Sequence, residues 1–370
     1  MKIEAVGIIG ASDVGMALAE IFISAGFQVR IYDDFKDSLN IGMAKIKWSL
    51  SKAGKSNLIS NIEPIQEYSK FKGADIVIET TSKTIEERNL LFGKIANEVS
   101  QSCIFGICAN IFPLKYIFEN IPLMPVERTV GLNFLKPIKT NNFMEVIKSD
   151  KTNEGVIDLI LDMCSKLGKN HVLVKDNPGQ IVERLTRIYM ISAFKTLQSG
   201  KGFPNEIDTK FKEISGASIG PFEYLDFIGL DYDYNSCLNI WEMLGKPDRL
   251  KPSDLEMRLV QYGQLGKKST IGIYIYEEGQ IVGENPILPN IVRYLGLRTA
   301  GKEEIFSDIM SPVVEEAKVL AAEIMASEHD IEASARYAFG WPKGPFTYLR
   351  EKPEIFEKKV KSEFDELEAF

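Results

Sequence analysis

The opening residues of the chain join two short apolar runs through a glycine-bounded turn and an amphipathic segment. Residues 3–9 read IEAVGII and stop at Gly10, a pattern typical of a strand that is buried on both faces. DVGMALAEIFISAG follows with apolar residues at helical spacing and with Gly26 where a helix C-cap belongs. FQVRIYDD then predicts a second strand. This order indicates a βαβ unit, which commits the start of the chain to a parallel sheet.

Further apolar runs alternate with helical segments over the first half of the chain. They are ADIVIET (74–80), CIFGI (103–107), TVGLNF (129–134), FMEVI (143–147) and HVLVK (171–175). The alternation predicts an α/β fold, with an N-terminal Rossmann-like doubly wound sheet followed by a mainly α-helical C-terminal part. After Pro178 the pattern is helical, with one extended segment at 271–276 and a proline-rich linker at 283–290.

The helical part contains an internal repeat. GPFEYL begins at Gly220 and GPFTYL at Gly344, which is 124 residues later. The same offset pairs Ile-Asp at 207–208 with Ile-Glu at 331–332, and it aligns an alanine in each half. Agreement of several features at one offset favours duplication over chance. We therefore expect three domains: residues 1–177, a first helical copy at 178–284 and a second copy at 285–370.

Composition excludes several classes of partner. The formal net charge is −8 with a pI near 5.2, and the basic residues are interspersed with acids, which disfavours binding to nucleic acid. The four cysteines are scattered and predict buried free thiols rather than a metal site. No apolar run reaches membrane-spanning length, and acidic residues interrupt the N-terminal run. We expect a cytoplasmic protein that does not contact membranes.

The turn GASDVG is the first candidate site. A dinucleotide fold binds pyrophosphate at the N-terminus of its first helix, next to a glycine-rich turn. Gly10 and Gly15 occupy two of the expected glycine positions, and Ser12 replaces the middle glycine. Its Cβ would crowd a phosphate, whereas its hydroxyl would donate a hydrogen bond to it. Asp13 and Val14 complete the predicted pyrophosphate-binding turn.

Asp33 is the second candidate in the nucleotide site. It follows the second predicted strand, 23 residues after Gly10, where a carboxylate accepts hydrogen bonds from an adenosine ribose. An acid at this position repels a 2′-phosphate, so the pattern favours NAD over NADP. The alternative is a turn residue at a strand end, because aspartate is common in turns.

The chain as a whole resembles the 3-hydroxyacyl-CoA dehydrogenase family. The similarity runs through the glycine-rich start, ADIVIET, GLNFLKP followed by EVI, KDNPGQIVERL, GPFEYLDFIGLD and LGKKSTIGIYIY. The resemblance implies a Rossmann domain joined to a helical domain. It also implies an enzyme that oxidises a 3-hydroxyacyl thioester, passes hydride to NAD, and takes an acyl-CoA as substrate.

The resemblance also locates the expected active site, and the chain departs from the family there. GLNFLKP aligned with the family motif puts Asn133 at the catalytic histidine, Glu145 at its partner carboxylate and Lys136 at an asparagine. Asn110 falls where the family has a serine that hydrogen-bonds the reacting oxygen. Glu183 falls at an active-site asparagine. Lys83 replaces a glutamate that helps to hold the nicotinamide half of the cofactor. Among these aligned positions, only Glu145 is the residue that the family has.

The substitution at position 133 decides the chemistry. Oxidation of a secondary alcohol requires a base that takes the hydroxyl proton, and a carboxamide does not titrate in a useful range. Asn133 can orient an oxygen but cannot accept that proton. The two histidines of the chain, His171 and His329, do not align with a catalytic position.

Three interpretations follow. In the first, a rebuilt site uses Glu183 or Glu145 as the base, while Lys136 or Asn133 stabilises the oxygen. In the second, the chain is a non-catalytic homologue that binds an acyl-CoA, a nucleotide or a protein partner. In the third, the alignment is misplaced and an intact site lies elsewhere, although Pro113, Pro137 and Glu145 anchor the alignment independently. A further alternative is a nucleotide-free scaffold, in which Ser12 and Lys83 reflect loss of the cofactor itself.

Structural roles compete with each catalytic role. They are Glu145 paired with Lys136, Glu183 paired with Arg184 or Arg187, and Asn110 as a helix cap. In relatives with one helical module, that module forms the dimer interface. We therefore expect either a monomer whose two copies pack as an internal pseudo-dimer, or a homodimer.

Overall fold

The computed structural model describes residues 2–108, 111–292, 298–323 and 325–356. The chain divides into two compact units, the first of residues 1–177 and the second beginning at Pro178. Asn110, a predicted site residue, lies outside the described residues.

The first unit is built on one mostly parallel sheet. Its strands are β1 (Ala5–Ile9), β2 (Gln28–Tyr32), β3 (Ile62–Ile65), β4 (Ile76–Glu79), β5 (Ile104–Cys108), β6 (Thr129–Phe134), β7 (Phe143–Lys148) and β8 (Asn170–Lys175). The spatial order is β3-β2-β1-β4-β5-β6-β7-β8, and every neighbouring pair is parallel except β6 and β7. The order reverses between β1 and β4. The predicted doubly wound fold is confirmed.

Helices cover both faces of this sheet. They are α1 (Asp13–Ser24), α2 (Lys36–Lys52), α3 (Ile85–Ala96), α4 (Leu114–Phe118) and α5 (Glu154–Lys166). One apolar core includes Phe22, Leu18 and Ile160, and the opposite core includes Phe92 and Phe105. Because strands between two cores are buried on both faces, they appear in the sequence as continuous apolar runs.

The sequence did not predict strand β3. It reads IEPI, and its proline cannot donate a hydrogen bond to a neighbouring strand. Pro64 is tolerated because β3 pairs only with β2 and forms the edge of the sheet. A short edge strand with an internal proline therefore gives no strand signal by alternation or by apolar length.

The second unit is mainly helical. Its elements are α6 (Val182–Gln198), α7 (Pro204–Ser215), α8 (Pro221–Ile228), α9 (Leu230–Met243), α10 (Asp254–Gln261), β9 (Tyr274–Glu277), β10 (Gln280–Glu284), α11 (Leu288–Ile291), α12 (Lys302–Ala322), α13 (Glu328–Phe339) and α14 (Pro345–Glu351). β9 and β10 form an antiparallel hairpin. The predicted linker at 283–290 is partly wrong, because its first residues complete β10 and its last ones form α11. Glu278 and Gly279, both at positive φ, form the turn that allows this pairing.

Helices of the second unit recur at the offset found in the sequence. α7 begins at Pro204 and ends at Ser215, and α13 begins and ends 124 residues later. α8 and α14 likewise begin at prolines 124 residues apart. The first helix of each pair ends at a glycine in the left-handed conformation, Gly216 at φ 72° and Gly340 at φ 64°.

In both repeats, an acidic side chain caps the helix that begins at the Gly-Pro-Phe sequence, α8 in the first and α14 in the second. Asp208 of α7 accepts hydrogen bonds from the backbone N–H groups of Phe222 (2.9 Å) and Glu223 (3.0 Å). Glu332 of α13 accepts from the N–H groups of Gly344 (3.1 Å) and Thr347 (2.9 Å). An acid on one helix thus satisfies the free donors at the N-terminus of the next helix in each repeat.

The described residues contain no helix that is long and apolar enough to cross a membrane. They also contain no group of three or more potential metal ligands. All four cysteines are buried and none of them forms a disulfide, as predicted.

Candidate active site

Strands β6 and β7 bring the first pair of candidate residues together. Asn133 lies directly opposite Glu145 in the antiparallel ladder. The Asn133 Nδ2 group donates a hydrogen bond to Glu145 Oε2 at 2.6 Å. Glu145 is fully buried and Asn133 is half-buried. The 12-residue separation in sequence therefore corresponds to one cross-strand contact, which joins an orienting carboxylate to an amide.

This pair can orient an oxygen but offers no imidazole. One N–H of the Asn133 amide is used by Glu145, and the amide retains a second N–H and a carbonyl oxygen. An amide held by a buried carboxylate is suited to donate a hydrogen bond in a fixed direction. Any proton taken from a substrate hydroxyl must go to another group.

The loop between β6 and β7 is anchored by a buried lysine that the sequence did not reveal. Lys169 Nζ donates to the backbone carbonyl oxygen of Ile138 at 2.6 Å and to that of Asn141. Burial lowers the pKa of Lys169. Lys136 lies in the same loop, is exposed, and precedes Pro137 through a cis peptide bond. A lysine in an LGK turn gives no sequence signal of this anchoring role.

A half-buried acid lies at the end of the first unit. Asp176, in the KDNPG segment, accepts a hydrogen bond from the N–H of Leu114 at the start of α4 (2.8 Å). Burial raises its pKa to about 6. This contact ties the end of the first unit to α4, which follows the segment that contains Asn110.

The glycine-rich turn has the close packing that a dinucleotide site needs. Gly10 has φ 107°, which disfavours any residue with a side chain. A Cβ at Gly15 would lie 1.9 Å from the Gly10 carbonyl oxygen, so helix α1 could not approach β1 with any other residue there. Ser12 is the N-cap of α1, is exposed, and makes no side-chain capping bond. Its hydroxyl is therefore available to a phosphate at the helix N-terminus.

The other predicted nucleotide ligands lie around this turn. Asp33 accepts hydrogen bonds from the N–H groups of Ala11 (2.7 Å) and Phe35 (2.8 Å). A carboxylate with one bond at each oxygen still has lone pairs for ribose hydroxyls. Asp13 is exposed and pairs with Lys45 at 3.1 Å, while Val14 is half-buried. The residues present fit NAD, with pyrophosphate at α1 and ribose at Asp33.

The loop after β4 is held from below by a buried ion pair. Arg88 Nε lies 3.1 Å from Glu79 Oε2, and the same guanidinium donates to the Thr81 carbonyl oxygen at 3.0 Å. Burial raises the pKa of Glu79 despite the attraction of Arg88. This loop carries Lys83, whose Nζ lies 2.8 Å from Asp34 Oδ2. Asp34 was not predicted as a partner, although the consecutive aspartates at 33–34 were a visible signal.

Glu183 is half-buried in the second unit and belongs to a polar network around the buried Arg187. The Tyr232 hydroxyl donates to Glu183 Oε1 at 3.0 Å, and Arg187 Nη2 lies 3.4 Å from Glu183 Oε2. The same Arg187 atom lies 2.9 Å from Asp233 Oδ1, and Arg187 donates to the Asp233 carbonyl oxygen at 3.0 Å. The pairing of Glu183 with Arg187, one of the alternatives in the sequence, is confirmed. Asp233 was missed, because the helix dipole alone explains an acid in the first turn of a helix, so the sequence gives no sign of a buried partner.

Electrostatics in this network depend on Arg187. Burial raises the pKa of Asp233 to about 6 and the pKa of its neighbour Glu256 well above the ordinary value. Burial by itself lowers the pKa of Arg187. The negative charges of Asp233 and Glu183 have the larger effect, and the Arg187 pKa is raised above its usual range. Arg187 Nη2 and Asp233 Oδ1 are close without hydrogen-bond alignment, so their contact is mainly coulombic.

Comparison with known proteins identifies the family. The sequence profile of the 3-hydroxyacyl-CoA dehydrogenase NAD-binding domain matches residues 5–177, and that of the C-terminal domain of the same family matches residues 179–276. The mitochondrial hydroxyacyl-coenzyme A dehydrogenase of Rattus norvegicus is 28% identical over 291 residues, covering 74% of this chain and 92% of the relative. A probable 3-hydroxybutyryl-CoA dehydrogenase of Bacillus subtilis is 29% identical over 292 residues, covering 75% and 99%.

Solved structures show the same fold. The crystal structure of 3-hydroxybutyryl-CoA dehydrogenase from Escherichia coli has a TM-score of 0.84 at 21% identity and covers 95% of this chain and 92% of that one. The (S)-3-hydroxybutyryl-CoA dehydrogenase of Ralstonia eutropha has a TM-score of 0.71 at 25% identity and covers 75% and 100%. The first likeness extends into the second helical repeat. The chain belongs to the 3-hydroxyacyl-CoA dehydrogenase family and carries its NAD-binding and C-terminal domains.

Proposed function

We propose that this protein is an NAD-dependent dehydrogenase that oxidises the 3-hydroxyl group of an acyl-CoA thioester, with Asn133 and Glu145 at the reacting oxygen. The observation that carries the proposal is the 2.6 Å hydrogen bond between the Asn133 amide and the buried Glu145 carboxylate. A donor backed by a buried acid is the arrangement that orients a catalytic side chain in a dehydrogenase of this family. The names of the relatives, which act on 3-hydroxyacyl-CoA or 3-hydroxybutyryl-CoA, support the substrate class.

The roles of the side chains follow from their contacts. The free N–H of Asn133 donates to the substrate oxygen and fixes its direction, while Glu145 holds the amide in place. For Asn110 and Lys136 the assignment comes from the family resemblance and not from a contact: the aligned serine gives Asn110 a hydrogen bond to that oxygen, and Lys136 would supply positive charge from the loop. Gly10, Ser12, Asp13, Val14, Gly15 and Asp33 hold the cofactor. The resemblance assigned Lys83 to the nicotinamide half, but its contact with Asp34, the residue after Asp33, supports a place at the edge of the adenosine half instead. When bound, NAD supplies the hydride acceptor.

Proton removal is the weak step in this mechanism. Asn133 cannot take the hydroxyl proton, and general-base catalysis contributes about 10²–10⁴ in rate. Of the two carboxylates considered as a replacement base, Glu145 is favoured, because it contacts the Asn133 amide directly, whereas the Glu183 carboxylate contacts Arg187 and the Tyr232 hydroxyl in the second unit. We expect turnover to be slower than in relatives with the histidine by roughly the factor that a general base contributes.

The test is oxidation of 3-hydroxybutyryl-CoA, followed by NADH absorbance, in the wild-type protein and in Asn133→His. The imidazole would meet Glu145 across the same strand pair and restore a titratable base, so we expect kcat to rise by about 10²–10⁴. Glu145→Gln in the Asn133→His background should remove most of the gain. Asn133→Ala controls for the loss of the amide. A robust wild-type rate that is insensitive to Glu145→Gln would contradict these roles.

A second candidate function is favoured by the same substitution. An amide in place of a base is what a non-catalytic homologue would retain if it bound an acyl-CoA, a nucleotide or a partner protein. Binding and turnover measurements together distinguish the two functions. If NADH and acyl-CoA bind to the wild-type protein but neither it nor Asn133→His turns over, the binding function is supported.

We further propose that the helical repeats at 178–284 and 285–370 form an internal pseudo-dimer, which makes the protein a monomer. The recurrence of helices at one offset supports this, as does the buried contact of Arg184 in α6 with Glu316 in α12 at both Nε (2.7 Å) and Nη2 (2.5 Å). Sedimentation equilibrium should give a mass near 41.6 kDa. A tight dimer would contradict it.

A cytoplasmic location completes the proposal. Four buried free thiols suit a reducing compartment, where disulfides are rare. Cell fractionation with an antibody to the protein tests this directly, and recovery of the protein in another compartment would contradict it.

A further inference from the structure

An ion pair crosses the nucleotide crevice of the first unit. Lys83 follows β4, Asp34 follows β2, and Lys83 Nζ lies 2.8 Å from Asp34 Oδ2. Strand β1 lies between β2 and β4, and all three are parallel, so their carboxyl ends meet at one edge. The pair therefore joins the loops on either side of the glycine-rich turn. Ligands of open α/β sheets bind at this edge, where the strand order reverses.

The two consecutive aspartates at this edge have different partners. Asp33 faces the glycine-rich turn and accepts from the N–H groups of Ala11 and Phe35. Asp34 accepts from Lys83 at one oxygen and from the Tyr32 hydroxyl at the other, which is 3.0 Å away. The first carboxylate is thus placed for ribose hydroxyls. The second carboxylate is paired with the Lys83 ammonium.

Both members of the pair are charged and reachable by a ligand. Hydrogen bonding to Lys83 lowers the pKa of Asp34, and hydrogen bonding to Asp34 raises the pKa of Lys83. The Lys83 side chain is 25% exposed and the Asp34 side chain is 41% exposed. Arg88 and Glu79 hold the loop that carries Lys83 from below, so the ammonium is presented by a supported segment.

Discrimination between NAD and NADP depends on charges at this position. An acid that binds the ribose 2′-hydroxyl selects NAD, and a nearby cation accommodates the 2′-phosphate of NADP. This chain has both groups within one crevice, because Lys83 brings an ammonium to the carboxylate that directly follows Asp33. Carboxylates and phosphates are both anions that accept charge-assisted hydrogen bonds from an ammonium.

We propose that Asp34 is an internal substitute for the cofactor 2′-phosphate: it occupies the Lys83 ammonium and thereby excludes NADPH, which makes the Asp34–Lys83 pair a determinant of cofactor specificity beside Asp33. The proposal rests on the NAD-dependent function proposed above. Asp33 alone disfavours a 2′-phosphate, and Asp34 removes the cation that would compensate for that repulsion. Loss of the Asp34 carboxylate frees the ammonium for an anion of the ligand.

The experiment measures binding of NADH and of NADPH by nucleotide fluorescence in four forms: wild type, Asp34→Ser, Lys83→Met and the double variant. Wild type should bind NADH more tightly than NADPH. Asp34→Ser should shift the ratio of the two affinities toward NADPH by about tenfold, the size of one charge-assisted hydrogen bond at a partly exposed site. Lys83→Met should give no such shift. The double variant should return to the ratio of Lys83→Met.

A matched control separates this effect from net charge. Glu63 pairs with Arg30 at 3.6 Å on the same sheet, and its side chain is 62% exposed. Glu63→Ser changes the net charge by the same amount as Asp34→Ser, and it should leave the ratio of affinities unchanged. An equal shift in Glu63→Ser would overturn the proposal, because a general increase in positive charge would then be the cause.

Two further outcomes are decisive. An unchanged ratio in Asp34→Ser, or a shift that persists in the double variant, would overturn the specificity role of the pair while leaving NAD binding intact. Failure of the wild-type protein to bind NADH would overturn the cofactor assignment itself, and this proposal with it. Titration of the wild-type protein with NADH distinguishes these two failures, because NADH binds in the first case and does not bind in the second.

Discussion

The buried guanidinium of Arg187 is expected to dominate the stability of the helical unit, and Arg187→Met tests this. The side chains of Arg187 and Asp233 are each 1% exposed, so water cannot replace the lost contact. Methionine keeps most of the volume and removes the charge. Asp233 would then share a buried site with Glu256 and Glu183 without a cation within ion-pair distance of it among the described residues.

The magnitude follows from burial. Breaking a buried ion pair by removing one partner costs about 3–5 kcal/mol, because the remaining charge is uncompensated. The pKa of Asp233 is already raised to about 6 by burial. When the pKa of an acid is higher in the folded than in the unfolded protein, the free energy of unfolding falls as pH rises through the folded pKa. Removal of Arg187 should raise that pKa further, so we expect a larger deficit at pH ~8 than at pH ~5.

Urea unfolding followed by far-ultraviolet circular dichroism at both pH values measures the effect. Arg350→Met is the control, because Arg350 and Glu328 are 3.6 Å apart with side chains 61% and 62% exposed. Exposed pairs contribute about 0–1 kcal/mol. A free energy of unfolding for Arg187→Met within about 1 kcal/mol of wild type at pH ~8, the range of an exposed pair, would refute the importance of this network.

Further predictions concern the turn, the repeats and a buried acid. Gly15→Ala should destabilise the first unit by about 1–3 kcal/mol and abolish NADH binding in calorimetric titration, because its Cβ would overlap the Gly10 carbonyl oxygen. Asp208→Ala should lower the free energy of unfolding by several times more than Glu332→Ala, since the caps are equivalent but Asp208 is fully buried and Glu332 half-buried. Burial raises the pKa of Asp226 to about 6, so wild-type stability should fall between pH ~4 and ~7, and the fall should be smaller in Asp226→Asn when denaturation is measured across that range. A pH dependence identical to wild type in Asp226→Asn, or equal losses in the two cap variants, would contradict these expectations.

Much of the first unit was predictable because its physical causes are local. Strands buried on both faces must be apolar throughout, and β5 reads IFGIC with every residue buried. The glycines of the turn were recognisable because Gly10 needs positive φ and Gly15 needs close packing. The link between Asn133 and Glu145 followed from the family motif, and the antiparallel pairing of β6 and β7 explains its spacing.

The features that escaped prediction depend on contacts between distant segments. Lys169 anchors a loop about thirty residues earlier in the chain through its backbone carbonyl groups, which have no sequence signature. The partners of Glu183 include a tyrosine 49 residues away. Strand β3 forms only because β2 offers it an open edge, and propensity argues against it. In each case the partner is set by packing, which local patterns do not encode.

The recurrence of helices within one chain has a consequence for how its interior can change. In a twofold homodimer every substitution occurs twice, so a contact across the axis is always duplicated. Two repeats within one chain are free of that restriction. Arg184 pairs with Glu316, but the positions 124 residues from them hold Asp308 and Ser192, and Asp308 pairs with Lys201 instead. Positions related by the 124-residue offset therefore carry unlike charges, an asymmetry that identical subunits joined by a twofold axis could never fix.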